Sequence, residues 1–211
     1  MELFLISLGA MFSIMNPLST VPVFVSLTAD HDLKEKNRVA VWTSINVLIV
    51  LLLSYFVGQY ILQFFGISIN ALKIAGGLII TSSGFALLTG KFKEHKGMTS
   101  TKVDKDIRSR SDIALTPLAI PMLAGPGTIS LLITLNQEHE KMMDIFILIA
   151  AMLSACLLIF VILKSSQYIV KILGASGINA LSRIIGFIVI AIGIEYIISA
   201  VSNLFPAWTQ S

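Results

Sequence analysis

The stretch MNPLSTVP, Met15–Pro22, interrupts an apolar run that is otherwise long enough to cross a membrane. A second stretch, PMLAGPGTIS at Pro121–Ser130, does the same in the other half of the chain. Proline lacks an amide donor and clashes with the carbonyl four residues earlier, so each stretch predicts a break in a helix. The breaks at Pro17 and Pro126 therefore restrict how the rest of the chain can fold.

The composition is that of an integral membrane protein. Of the 211 residues, 55% are hydrophobic and 13% are charged, a balance typical of chains that fold in lipid. A membrane-crossing helix needs about 20 mostly apolar residues. Six stretches meet this requirement, near residues 3–28, 39–60, 71–90, 113–136, 142–163 and 184–204. We predict an all-α integral membrane protein with six transmembrane helices, of which the first and fourth are broken.

Basic residues are distributed unevenly among the predicted loops. All Lys and Arg residues except Lys73 and Lys141 fall in three loops on one side of the membrane. The positive-inside rule places these loops in the cytoplasm and both termini in the periplasm. The most basic segment, residues 91–111, also contains acidic residues, so we interpret it as a cytoplasmic linker and expect no nucleic-acid partner.

The chain resembles itself when one half is shifted along the other. QYILQFFGISINALK, from Gln59, aligns with QYIVKILGASGINALS, from Gln167, if Gly177 is a one-residue insertion. At a shift of 109 residues, which applies after that insertion, Pro17 corresponds to Pro126. The two proline breaks therefore occupy equivalent places in two halves.

Two glycine pairs extend this internal repeat. Gly77 corresponds to Gly186, and Gly84 corresponds to Gly193. Within each half, the two glycines lie seven residues apart and therefore on one helix face. Small residues there let helix backbones approach closely in lipid. We expect these faces to be packing surfaces.

The repeat predicts an inverted topology within a single membrane domain, 1–211. The first half, 1–90, and the second half, 112–211, hold three predicted spans each and are joined by the linker 91–111. Because three is odd, the second half enters from the opposite side of the membrane. Inverted repeats with interrupted helices are typical of secondary transporters, whose substrate sites lie near the midplane.

Each break predicts a binding site made largely of main chain. A half-helix that restarts after the proline has unbonded amides and a positive dipole end, which suit a carboxylate. Ser19 and Thr20 lie in the first turn after one break, and Gly127 and Thr128 after the other. Gly125 would let the backbone approach a small ligand. The alternative is that each proline only kinks its helix; two equivalent breaks favour a polar cavity.

Two further ionisable residues lie in or beside predicted spans. Glu195 is the only carboxylate well inside one, so it is expected to line the cavity, carry a proton or bind an ammonium group. The alternative is a protonated, hydrogen-bonded glutamate, or one near the outer interface. Lys73 is predicted to extend from its helix end towards the interface.

Enzyme signatures are absent from the sequence. It contains no His-Glu-x-x-His, no Gly-x-Ser-x-Gly and no Gly-x-x-x-x-Gly-Lys motif, and its three histidines fall in predicted loops. We therefore expect no enzymatic activity, no catalytic residue, no bound metal and no cofactor.

NPLSTVPVFVSLT near the start and PLAIPMLAGPGTIS in the second half resemble the MarC family of bacterial inner-membrane proteins. The resemblance runs nearly end to end. It implies a location in the bacterial inner membrane. Some MarC members are described as transporters of small neutral amino acids, and the family is grouped with exporters of the LysE-like superfamily. Relatives tend to carry Gln at the position of Glu195, which argues against a family-wide proton carrier there. The resemblance also implies a shared site core made of Asn16, Pro17, Gly125, Pro126, Gly127 and Thr128.

The sequence thus predicts a secondary transporter, with export as one direction, of small neutral amino acids or similar solutes. The partners would be the lipid bilayer and the solute, and a homo-oligomer is compatible with the sequence. The alternative is a non-transporting membrane protein that acts as a scaffold or in envelope integrity. The predicted substrate-binding residues are Asn16, Pro17, Ser19, Thr20, Gly125, Pro126, Gly127, Thr128 and Glu195.

Overall fold

The computed structural model describes residues 1–29, 31–89, 118–119 and 123–205, apart from the side chain of Ala175. These residues form helices and short connections, with no strand among them, so the predicted all-α class is confirmed. The helices are α1 Glu2–Met15, α2 Pro17–Leu27, α3 Leu33–Phe65, α4 Ile69–Thr89, α5 Pro126–Glu138, α6 Met142–Lys164 and α7 Ser166–Leu204.

Four of these helices are long and apolar enough to cross a membrane. They are α3, α4, α6 and the Ser176–Leu204 part of α7. Helices α1 and α2 together make a fifth candidate span, bent by 43°. Helix α5 has 13 residues and is about 20 Å long, shorter than the bilayer core. Residues 113–117 and 120–122 of the predicted fourth span, near 113–136, lie outside the described residues, as does the linker 91–111.

The first predicted break is present. Helix α1 ends at Met15 and α2 begins at Pro17. Between them, Asn16 adopts the left-handed conformation, with φ 40° and ψ 66°. Asparagine is one of the few residues that tolerate this region. Pro22, by contrast, lies inside α2 without ending it.

The second break has a different backbone. Helix α5 begins at Pro126, after an extended Gly125 with φ −75° and ψ 174°. Just before it, the Ala124 amide donates a hydrogen bond to the Ala119 carbonyl at 2.8 Å, a wide turn of the π type. The chain thus changes from a wide turn to a new helix within three residues.

Two glycines that are equivalent in the internal repeat share a left-handed φ. Gly66 ends α3 with φ 64°, and Gly174 kinks α7 with φ 61°. A residue with a side chain rarely adopts this conformation. Each glycine lets the chain turn before the next long helix, which begins at Ile69 in the first half and continues from Ser176 in the second.

Helices α4 and α7 pack through their glycines in antiparallel fashion. Gly77 lies against the carbonyl of Gly193, and Gly84 against that of Gly186. A Cβ added at Gly84 would lie 2.7 Å from the Gly186 oxygen, and one at Gly186 would lie 2.9 Å from the Gly84 oxygen. The predicted glycine faces are therefore packing surfaces, and they hold the two halves of the chain together.

Helix α5 is held in place by its neighbours. The Ser130 hydroxyl donates to the Leu72 carbonyl of α4 at 3.3 Å. At its other end, the Gln137 amide donates to the Gln59 side chain of α3 at 3.0 Å. The main hydrophobic core lies mostly among α1, α3, α5 and α6, with Met11, Leu51, Tyr55, Leu132 and Met152 fully or almost fully buried. These contacts fix the position of the second break.

Replacing Gly84 with Ala should destabilise the protein because the new methyl group meets the backbone of α7. We expect a loss of about 1–3 kcal/mol in the free energy of unfolding. Gly9→Ala is the matched control, since a Cβ at this helical glycine meets nothing within 4 Å. Thermal unfolding in detergent measures both variants; equal melting temperatures would contradict the packing described.

Candidate functional site

The first break bonds part of its own free backbone. The Asn16 side-chain oxygen accepts from the Ser19 amide at 3.4 Å, and the Asn16 carbonyl accepts from the Ser19 hydroxyl at 3.0 Å. The backbone amide of Asn16 donates to the Phe12 carbonyl at 2.9 Å. Asn16 is buried, and its side-chain nitrogen has no hydrogen-bond partner within the described part of the chain. The break therefore leaves one buried donor without a hydrogen bond among the described residues.

The second break is bonded in a similar way. The Thr128 hydroxyl donates to the Leu123 carbonyl at 3.3 Å, which spans the break from α5 back to the preceding turn. The Gly125 carbonyl accepts from the Ile129 amide at 3.1 Å, the first bond of α5. Thr128 and Gly127 are buried, whereas Gly125 is half-buried and Pro126 is exposed.

The two breaks lie close together, and the contact between them is apolar. A Cβ on Gly127 would lie 2.8 Å from the Ile80 side chain of α4 and 3.4 Å from that of Ile14, two residues before Asn16. Ile14 and Ile80 belong to a cluster that continues through Leu18, Ile185 and Val189. Within the described residues, side chains thus occupy the space where the sequence predicts a polar cavity.

A groove of about 750 Å³ lies to one side of the breaks, between α1, α5 and α7. It extends from the start of α1 and the end of α5 inward to Ala10 and Leu131. At about 1.5 Å per residue, these two side chains are about 9 and 8 Å along their helices from Asn16 and Pro126. Its polar lining consists of Glu2, Ser7, Glu138, His139, Glu195 and Tyr196.

Lys73 forms a partly buried ion pair beside this groove. Its ammonium group contacts the Glu138 carboxylate and donates to the Ser199 hydroxyl at 3.2 Å. The side chain of Lys73 is 5% exposed and that of Glu138 is 44% exposed. The predicted extension of Lys73 towards the interface is therefore wrong, because a carboxylate and a hydroxyl bind it between the helices. This pair joins α4, α5 and α7.

The predicted site residues divide into two groups. Of the nine, Glu195 alone lines the groove, where it is exposed. Asn16, Pro17 and Thr20 are buried at the first break, and Ser19 is half-buried there. The structure thus brings the two breaks together but places Glu195 in the groove beside them. A binding role for the nine residues stays a prediction.

Ser7 and Glu138 line the groove and Lys73 pairs with Glu138 beside it; none of the three is among the residues that the sequence predicts for the site. Lys73 follows the start of one span and Glu138 ends another, so the predicted topology already placed these opposite charges at one end of the bundle. This shared position was the feature of the sequence that could have predicted the ion pair. Nothing in the sequence distinguishes Ser7 from the other small polar residues of its helix.

A family model described as "MarC family integral membrane protein" matches residues 1–205. The chain belongs to the MarC family. Relatives of this family include the UPF0056 membrane protein YhcE of Escherichia coli K12, 32% identical over 93% of this chain and 90% of the relative. The UPF0056 inner membrane protein MarC of Citrobacter koseri is 33% identical over 96% of each chain. No solved structure matches the chain.

The MarC assignment and the apolar helices agree on a multipass integral membrane protein. The family model covers both breaks and all the residues of the groove. The resemblance inferred from the two proline stretches is therefore confirmed. The names of these relatives state a membrane location and give no substrate.

Glu138→Gln should destabilise the protein because it leaves the Lys73 ammonium buried without a charged partner. We expect a loss of about 1–3 kcal/mol, less than for a fully buried pair since Glu138 is partly exposed. Glu140→Gln, an exposed carboxylate two residues away, is the matched control. Adding Lys73→Met to Glu138→Gln should restore stability. Equal melting temperatures of all four proteins would contradict a structural role for the pair.

Proposed function

We propose that this MarC protein is a secondary transporter of small neutral amino acids or similar small solutes in the bacterial inner membrane. The observation that carries the proposal is the groove, which reaches from one end of the bundle towards two helix breaks that contact each other. The name of one relative, an inner membrane protein, supports the location. The proposal includes no enzymatic step, and its partners are the bilayer and the solute.

The contacts between the halves support an inverted repeat. Exchanging the halves by the alignment shift turns the Gly77–Gly193 contact into the Gly186–Gly84 contact, and both contacts are present. Such an exchange is what a two-fold axis in the membrane plane produces. In inverted-repeat transporters, each half adopts the conformation of the other to open the site to the opposite side. Under the predicted topology, the groove opens to the periplasm.

The breaks supply the chemistry for a carboxylate. Helices α2 and α5 both start at the breaks and direct their positive ends there. The free side-chain nitrogen of Asn16 adds a donor that is already desolvated. In this mechanism, these groups hold the solute carboxylate after the Ile14–Ile80 contact opens. Backbone carbonyls that the prolines leave without an amide donor bind the ammonium group. Glu195 lies at the groove wall, one turn from Ile192.

The apolar contact between the breaks also favours a second candidate function. A dry, packed pair of breaks is what a non-transporting scaffold, or a protein of envelope integrity, would have. Ile14, Leu18 and Ile80 fill the position of the predicted cavity. The two functions differ in whether this contact opens during a working cycle.

Reconstitution in proteoliposomes tests the transport proposal. We expect saturable uptake or exchange of labelled alanine or glycine that empty vesicles do not show. Folded protein that moves none of the small neutral amino acids would overturn the substrate assignment and favour the scaffold.

Asn16→Gly tests the site itself. Glycine keeps the left-handed backbone and removes the side chain, so the fold should survive while the free donor is lost. We expect transport to fall about tenfold or more, as for a lost hydrogen bond to a charged group. Ser26→Ala, at an exposed position of α2, is the control. Unchanged transport in Asn16→Gly would show that the break is only a kink.

A further inference from the structure

The groove between α1, α5 and α7 has an excess of negative charge. Glu2, Glu138 and Glu195 line it, and Lys73 offsets one of them through its pair with Glu138. Within the described part of the chain, neither Glu2 nor Glu195 forms an ion pair. His139, also in the lining, faces Asp144 at 3.8 Å. Two carboxylates are thus left to face a ligand.

Ser7 provides an independent indication of a ligand. It lines the groove and is 1% exposed. Its hydroxyl is buried and has no hydrogen-bond partner among the described residues. A buried hydroxyl without a partner is costly, and in many helices serine avoids this cost by bonding the carbonyl four residues earlier. The Ser7 hydroxyl is thus an unbonded polar group in the wall of the groove.

The remaining wall of the groove is apolar. Leu3, Ile6, Leu135 and Ile192 line it, together with Tyr196. A volume of about 750 Å³ lies within the range of small-molecule sites, which combine apolar walls with a few polar groups. An aromatic ring also attracts a cation.

We propose that this groove binds small primary amines, with the ammonium group at Glu195, Glu2 and Ser7 and an apolar body along α1, α5 and α7. The claim that such an amine is also transported rests on the proposed function. It names primary amines as one class among the similar small solutes of that proposal, because the acidic lining attracts an ammonium group.

The same residues argue against a metal ion as the ligand. No group of three His, Cys, Asp or Glu side chains in the described residues is close enough to hold one. Two carboxylates beside an apolar wall suit an organic cation, because its charge and its hydrocarbon part can bind in different places. The groove offers both.

Calorimetry on the full chain in phosphatidylcholine nanodiscs tests this inference, with empty nanodiscs as the blank. The probe is 3-methylbutylammonium. Leucine, 4-methylpentanoate and 3-methylbutanol have related skeletons and differ in charge. We expect the amine to bind at least tenfold more tightly than the other three. Equal binding of leucine or of the alcohol would overturn the proposal.

Substitutions locate the binding. Glu195→Gln should weaken amine binding about tenfold, as expected for a charged hydrogen bond, and Ser7→Ala severalfold. Glu140→Gln, which removes the same charge outside the groove lining, should leave binding unchanged. Equal affinities in Glu195→Gln and Glu140→Gln would overturn the assignment to the groove.

Binding and transport can fail separately. Transport of alanine with no selective amine binding would overturn this inference and leave the proposed function standing. Selective amine binding by a protein that transports neither amines nor amino acids would support the groove as a site and overturn the proposed function.

Discussion

The arrangement depends on how a membrane protein covers backbone groups that proline leaves unbonded. In lipid, such groups must be bonded within the protein or face water. At Pro17, the side chains of Asn16 and Ser19 bond the break locally. At Pro126, the Thr128 hydroxyl bonds across the break. Both breaks are then covered by α4, through Ile80, so the position of α4 decides whether they meet.

The position of α4 follows in turn from its glycine contacts with α7. Backbones that touch at Gly77 and Gly84 leave no space for a lipid or a side chain between the halves. The same packing places Lys73 of α4 next to Glu138 and Ser199, at the mouth of the groove. The packing of α4 against α7 thus joins the halves, covers the breaks and positions the Lys73–Glu138 ion pair at the mouth of the groove.

Much of this organisation could be predicted from the sequence, because it depends on local rules. Proline positions predicted the starts of α2 and α5, and the repeat predicted that Gly66 and Gly174 are equivalent. The lateral groove could not be predicted, since it depends on how far α1, α5 and α7 separate at one end. For the same reason, Lys73 was misplaced, because its partner is 65 residues away in the chain.

Access to the second break is the measurement that tests the account most directly. In a Cys156→Ala background, Gly125→Cys places a thiol at a half-buried position whose extended backbone accepts a side chain. The account predicts that a membrane-impermeant thiol reagent labels this residue from one side, and that a transported solute changes the rate. No labelling from either side, with or without solute, in a variant that remains folded would contradict a site at the breaks.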